Sequence, residues 1–413
     1  MAIARHRLWL LSLAGSCAAP VAQEAAQDTA VSEASVSAAE SVIPGPGIDV
    51  AVMPSNNNLD VISHEIVDPD DGTPEAAVFL AWRTAPTHFA SAETQLHIVR
   101  STDQQTWTHE ATLHLGTDLR EPRFLSWQGE LLLYFAALGT SATDFEPGQT
   151  YRSVRSDDGT WSTPELAFDD GFIPWRIYEW DGAPVMVGYI GGDEIYDLGE
   201  DTGDYDPQLE VKLLTTEDGR TWEALVPGRP TVHTGGGSET AIARLEDGTL
   251  VAVMRNEAGD EDGWGSKVCR AEADALADWT CAPDKRKYDS PLVFRHGSRV
   301  WLVGRRNVTD TGHYDLGYDH LDAREATLQY QIDYWNHPKR CSLWEVDPDA
   351  LTVTFALDLP SRGDTCFPSA LPAGGDDWTV YNYSSPVEGP DVTWLQGQLG
   401  DTNIYRQTLT LPR

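Results

Sequence analysis

Arginine and carboxylate side chains recur where strands of this sequence begin and end. Asp60, Arg120-Glu121-Pro122-Arg123, Trp175-Arg176, Ser238-Glu239, Asp289-Ser290-Pro291 and Cys366-Phe367-Pro368 open one set of strands. Arg83, Arg255-Asn256, Arg305-Arg306 and Tyr381-Asn382-Tyr383 close another. A guanidinium is a planar fork that grips a carboxylate through two parallel hydrogen bonds and stays charged when partly buried. A carboxylate beside a tyrosine can take the phenolic proton and make that oxygen a nucleophile. Brought to one axis, Arg83, Arg120, Arg123, Arg176, Arg255, Arg305 and Arg306 would form an anion site with acid and base groups beside it. The competing reading is structural: such residues can bond neighbouring units and merely close a ring.

Convergence on one axis requires a strand unit repeated around it, and the chain contains such a repeat. Ser101-Thr102-Asp103-Gln104-Gln105-Thr106-Trp107, Ser156-Asp157-Asp158-Gly159-Thr160-Trp161 and Thr216-Glu217-Asp218-Gly219-Arg220-Thr221-Trp222 share one pattern, with Trp spacings of 54 and 61. A degraded fourth copy ends at Trp279. In each, the Asp can accept from backbone N–H groups of a turn, Gly supplies positive φ where present, and Trp packs back on the sheet. The pattern resembles the Asp-boxes found at hairpins of sialidase-like propellers. A second repeat, strand, Gly turn, more apolar strand, runs through Pro122–Tyr134, Glu239–Arg255 and Pro291–Arg305, with further turns at Asp181-Gly182 and Gly374-Gly375. With a first strand pair near Leu59 to Trp82 this makes six units. The expected fold is all-β: a six-bladed β-propeller with four short antiparallel strands per blade, the segment after Tyr405 ending the last one.

From the first blade to the last the chain resembles a divergent bacterial exo-alpha-sialidase of the Asp-box (BNR repeat) kind. The match is closest from Ser238-Glu239 to Met254-Arg255-Asn256. By that resemblance Glu239 would activate the nucleophile, and Arg255 would belong to a triad gripping a sugar carboxylate. Arg305 would be the next triad member, with Arg306 as its register alternative. The family's nucleophilic Tyr is expected on the first strand of the last blade, where Phe367 stands, so Tyr381 or Tyr383, one strand over, would have to substitute. Glu93, His88 or Asp289 would stand in for the acid. The resemblance implies an exported glycoside hydrolase acting on acidic sugars such as terminal sialic acid. The alternative is a non-catalytic surface propeller that binds glycan or protein.

Charge narrows the partners. The chain carries 65 acidic and 29 basic residues, a formal net charge of -36, which excludes a generic nucleic-acid binder but leaves room for an anionic sugar or glycoconjugate in a local basic pocket. Only 5 of the basic residues are Lys against 24 Arg. Arg5-His6-Arg7 and the apolar run from Leu8 to Leu13 read as an export signal over residues 1–17, ending at a Cys17 suited to lipidation, with simple cleavage as the alternative. Leu13 stands four residues before Cys17 rather than the usual three. Residues 18–47, rich in Ala, Ser, Glu and Gln, read as a disordered tether, and 48–413 as the propeller. The expected location is the cell envelope or outside the cell, with membrane contact only through the lipid, and a monomer is expected. The remaining four Cys suit two disulfides, Cys269 with Cys281 and Cys341 with Cys366. No cofactor is expected, and neither Ca2+ nor another metal is indicated by the spacing.

Overall fold

The computed structural model describes residues 33–67, 72–141, 146–192, 195 and 207–413. Cys17, the export signal and the first part of the expected tether lie outside these residues. The described chain is all-β, a six-bladed propeller of antiparallel four-stranded blades. The innermost strands are Ser55–Val67, Leu119–Trp127, Ile173–Trp180, Gly237–Arg244, Asp289–His296 and Ser369–Gly374. Each pairs with the next strand in sequence, as short turns favour.

The turns between third and fourth strands hold the blades to one another. Asp103 Oδ1 accepts from the backbone N–H groups of Gln105 and Thr106, both at 2.8 Å. Asp218 does the same for Arg220 and Thr221, both at 2.7 Å. These bonds favour the ionised form and pull the Asp103 carboxyl down to about 2. The Trp that ends each turn reaches the preceding blade. Trp222 Nε1 donates to the Tyr134 hydroxyl at 3.1 Å, Trp161 Nε1 to Glu110 at 3.0 Å, and Trp107 packs edge-on against Tyr381.

The core is a ring of slabs between blades. One joins Phe79 and Ile98 of the first blade to Phe124 and Leu133 of the second. Another joins Val187 and Leu213 of the third to Ile242 and Met254 of the fourth. Burial on both faces explains why second strands such as Leu250–Asn256 read as continuous apolar runs, without the alternation of a half-exposed strand. Cys269 is bonded to Cys281 within the fourth blade, and Cys341 to Cys366 between the fifth and sixth.

The tether assignment needs correction. Ser35–Val36 and Glu40–Ile43, inside the segment expected to be disordered, pair with Asn403–Thr410 and supply the outer strand of the last blade. The C-terminal strand is therefore third in its blade, and the N-terminal residues complete it. The physical reason is the open edge of Asn403–Thr410, whose unpaired N–H and C=O groups need partners. Val42 and Ile43 are buried there.

Among the described residues, two helices stand outside the blades. Helix α1, Ala323–Trp335, is inserted between the second and third strands of the fifth blade, and α2, Trp394–Gln398, lies before the last strand. Both begin at side-chain caps, Asp322 accepting from the Glu325 N–H at 2.9 Å and Thr393 from that of Gln396 at 3.2 Å.

Candidate functional site in the channel mouth

Every inner strand breaks register at one end of the channel. One extra residue is inserted between Asn57 and Leu59, Arg120 and Arg123, Pro174 and Arg176, Gly237 and Thr240, and Asp289 and Leu292. The sixth strand repeats this between Thr365, which bridges Ser384, and Ser369, which pairs with Tyr381. A bulge re-aims side chains, and the re-aimed residues meet in one place. Four bulges put a non-glycine residue in the left-handed region: Asn58 (φ 42°), Glu121 (54°), Ser290 (53°) and Cys366 (84°). Such strain persists only where surrounding bonds over-determine it.

These bulges ring a cavity of about 420 Å³ lined by Asn58, Glu121, Glu239, Asp289, Ser290 and Phe367. Second strands add Tyr189, Arg255, Arg305 and Tyr383 to the wall. Helix α1 contributes Gln331 and Trp335, and α2 contributes Trp394, Leu395 and Gln398.

Glu239 is the best-defined group there. Its Oε1 accepts from Arg255 Nη1 at 2.7 Å and its Oε2 from the Ser290 N–H at 2.6 Å. Burial nevertheless raises its carboxyl to about 7, with Asp289 and Glu121 adding to the rise against the pull of Arg255. Asp289, in the same wall, goes the other way. Burial alone would raise it, but Lys287, Arg305 and Arg255 outweigh burial and hold it at about 2. Two neighbouring carboxyls driven apart in this manner are suited to opposite roles in proton transfer.

A second cluster is built on Asp364. Its Oδ1 accepts from the Tyr383 hydroxyl at 2.9 Å and from Trp394 Nε1 at 2.9 Å, and its Oδ2 from His88 Nδ1 at 2.7 Å. Burial lowers His88 from its usual range, against the pull of Asp364 beside it. Burial would raise Asp364, but His88 and Arg305 outweigh it and keep the carboxylate ionised. Burial, with Asp364 adding to it, pushes the Tyr383 phenol well above its ordinary value.

The expected arginines divide into two groups. Arg120, Arg255 and Arg305 line the cavity. Each already has an acidic partner: Asp118 for Arg120, Glu239 and Glu257 for Arg255, and Asp289 for Arg305. The other four are not in its wall. Arg83 is fully buried, donating to Asp118 at 2.8 Å and to the carbonyls of Thr87 and Phe89, so it fixes a loop. Arg176 donates twice to the Pro291 carbonyl across the channel. Arg123 lies over the rings of Trp175 and Phe367. Arg306 points outward to Asp358, at 2.7 and 2.9 Å, because adjacent strand residues face opposite sides.

Two catalytic candidates are also corrected. Tyr381 faces away from the cavity, its hydroxyl donating to Gln104 at 2.8 Å, again by strand alternation. Glu93 is exposed in a loop and absent from the wall. Several wall residues were not singled out by sequence: Glu257, Lys287, Trp335, Trp394, and Asp364 behind them. Glu257 lies two positions beyond Arg255, a proximity that would have marked it; the helical residues carry no repeat signal. Among the described residues, no group of three or more His, Cys, Asp or Glu could hold a metal ion.

No family model and no curated protein sequence matches the chain. Solved structures do match, three of them at 10–15% identity to this chain. A protein of unknown function from Dyadobacter fermentans is 15% identical, with a TM-score of 0.53 over 88% of this chain and 98% of the other. An alpha-L-arabinofuranosidase from Fusarium graminearum, solved with an iminosugar inhibitor, is 10% identical, with a TM-score of 0.51 over 91% and 98%. A Trypanosoma rangeli sialidase, solved as a covalent intermediate with 2,3-difluorosialic acid, is 13% identical, with a TM-score of 0.52 over 87% of this chain and 55% of the other. The likeness establishes a sialidase-like propeller fold, shared by enzymes that act on different sugars.

Proposed function

We propose that this protein is a glycoside hydrolase working outside the cytoplasm on a terminal sugar with an acidic group, held in the channel mouth. The observation that carries the reading is Glu239, a carboxyl raised to about 7 in a wall shared with an ionised Asp289. Glu239 protonates the departing glycosidic oxygen. The Tyr383 oxygen attacks the anomeric carbon while its proton passes to Asp364; water, giving a proton to the Glu239 carboxylate, then cleaves the glycosyl–tyrosine bond as Asp364 returns its proton to the Tyr383 oxygen. This moves the base role expected for Glu239 to Asp364, since no tyrosine hydroxyl is hydrogen-bonded to Glu239 among the described residues. The acidic sugar is supported by the wall charges. Four cations, Arg120, Arg255, Lys287 and Arg305, stand in the wall, and burial raises the carboxyls of Glu121 and Glu239 among them. The two disulfides suit an oxidising compartment.

The test is turnover of fluorogenic glycosides, a sialoside and a uronide beside a neutral arabinofuranoside. Release from the acidic substrates, lost in Glu239→Gln, supports the reading. Turnover of the neutral one alone removes the acidic-sugar assignment, and a folded protein inert on the whole panel removes the enzyme. A second reading, a non-catalytic glycan-binding propeller, is favoured by Phe367, whose ring stands in the wall where a nucleophile was expected. Binding on a glycan array without turnover, abolished in Arg255→Ala, would identify it.

A further inference from the structure

Behind the wall of the cavity, around the channel axis, four buried polar atoms have no hydrogen-bond partner among the described residues: Arg123 Nε, Arg123 Nη2, Trp175 Nε1 and Glu121 Oε2. They belong to one cluster. The Arg123 guanidinium lies 4.6 Å from the Phe367 ring centroid and 4.9 Å from that of Trp175, and the two rings meet edge-on at 5.3 Å. Arg123 is 1% exposed and Trp175 0%. Among the described residues only Nη1 of Arg123 is engaged, donating to the carbonyls of Pro122 at 3.2 Å and Leu59 at 3.4 Å. The neighbouring carboxylates stand off, Asp60 at 4.0 Å from Nη1 and Glu121 at 3.7 Å from Nη2. Asp60 is committed elsewhere, accepting from the Phe124 N–H and the Ser369 hydroxyl, both at 2.8 Å. Arg176 brings a second guanidinium over the same rings and is bonded to a neutral carbonyl.

We propose that this cluster binds a small monovalent anion of chloride or bromide size, accepting from Arg123 Nε and Nη2 and from the Trp175 indole N–H. Buried charged donors are rarely left unpaired, and three N–H groups call for an acceptor. The charge selects an ion over a water molecule. Burial lowers both guanidinium groups from the usual arginine range, Arg176 to about 9 with the Arg123 charge beside it adding to the fall, and it raises Glu121. A neutral water would leave the two buried cations facing each other; a halide between them relieves that repulsion. The location selects a bare ion over a sugar carboxylate, because neither Arg123 nor Trp175 reaches the cavity surface. The inference does not depend on the glycosidase reading.

Crystals of the full chain soaked in sodium bromide test it. The expected result is an anomalous peak within about 3.5 Å of Arg123 Nε or Nη2 and of Trp175 Nε1. In solution, bromide should raise the melting temperature saturably, beyond gluconate at equal ionic strength. Trp175→Phe, which keeps the apolar ring and loses the N–H, should need about tenfold more bromide for the same effect. A soak with no anomalous signal at these atoms, or equal melting curves in bromide and gluconate, overturns the site. If the variant does not fold, the soak of the unaltered protein decides alone.

Discussion

Arg255 and Glu239 face each other across the two inner strands of the fourth blade, 2.7 Å from Nη1 to Oε1. A full positive charge at that distance would ordinarily keep a carboxyl ionised at any physiological pH. Here burial and the neighbouring carboxylates Asp289 and Glu121 outweigh it and leave Glu239 near 7. The pair thus keeps Glu239 oriented without removing its proton.

The pH dependence of turnover follows from that balance. As a general acid Glu239 works only while protonated, so kcat/KM should fall as pH rises through about 7. Glu239→Gln keeps the Arg255 contact but holds no transferable proton. Its activity should drop by about 10²–10⁴-fold and lose this limb of the profile. A profile with an unchanged limb would show that another group is the acid.

Tyr383 and Tyr381 provide an internal comparison, two phenols on one strand facing opposite sides. Tyr383→Phe should abolish turnover while leaving the melting temperature within a few degrees. Tyr381→Phe removes the hydroxyl's bonds to Gln104 and Arg406, away from the cavity, so it should cost about 1–2 kcal/mol of stability and leave kcat within about twofold. Rates and melts measured on both variants separate the two roles, and equal loss of kcat would sink the Tyr383 assignment.

Arg305 and Arg306 make the same comparison for cations. Arg305→Gln removes the donors to Asp289 and to the carbonyls of Thr365 and Cys366, so substrate binding and blade closure should both suffer. Arg306→Gln breaks a partly exposed pair with Asp358 and should cost no more than about 1 kcal/mol, with KM unchanged. A raised KM in Arg306→Gln would mean that the register has been misread.

The N-terminal strands should matter to stability rather than to chemistry. Removing residues through Ile43 uncovers the edge of Asn403–Thr410 and exposes Val42 and Ile43 contacts, each side chain worth roughly 1.5–3 kcal/mol when fully buried. The truncated chain should melt lower and aggregate through its open edge. A truncated chain with unchanged melting temperature and solubility would contradict this.

Local patterns were readable without coordinates. The Asp turns close on their own N–H groups two or three residues away, so spacing alone reveals them, and the strand, Gly turn, strand repeat between them implies the blade count. Cys269 and Cys281 pair across one hairpin and were equally legible. Tertiary structure alone decided the site. Each inner strand carries an extra residue that breaks the two-residue alternation, so no periodic reading could tell that Glu121 would join Arg120 in the wall while Arg123 turned behind it. The partners decide the rest, and they are distant in sequence: Arg176 reaches Pro291, and Asp364 gathers His88, Tyr383 and Trp394. Composition supplied the arginines, but whether a guanidinium serves a ligand or the ring depends on which carboxylate or carbonyl the closed propeller brings against it.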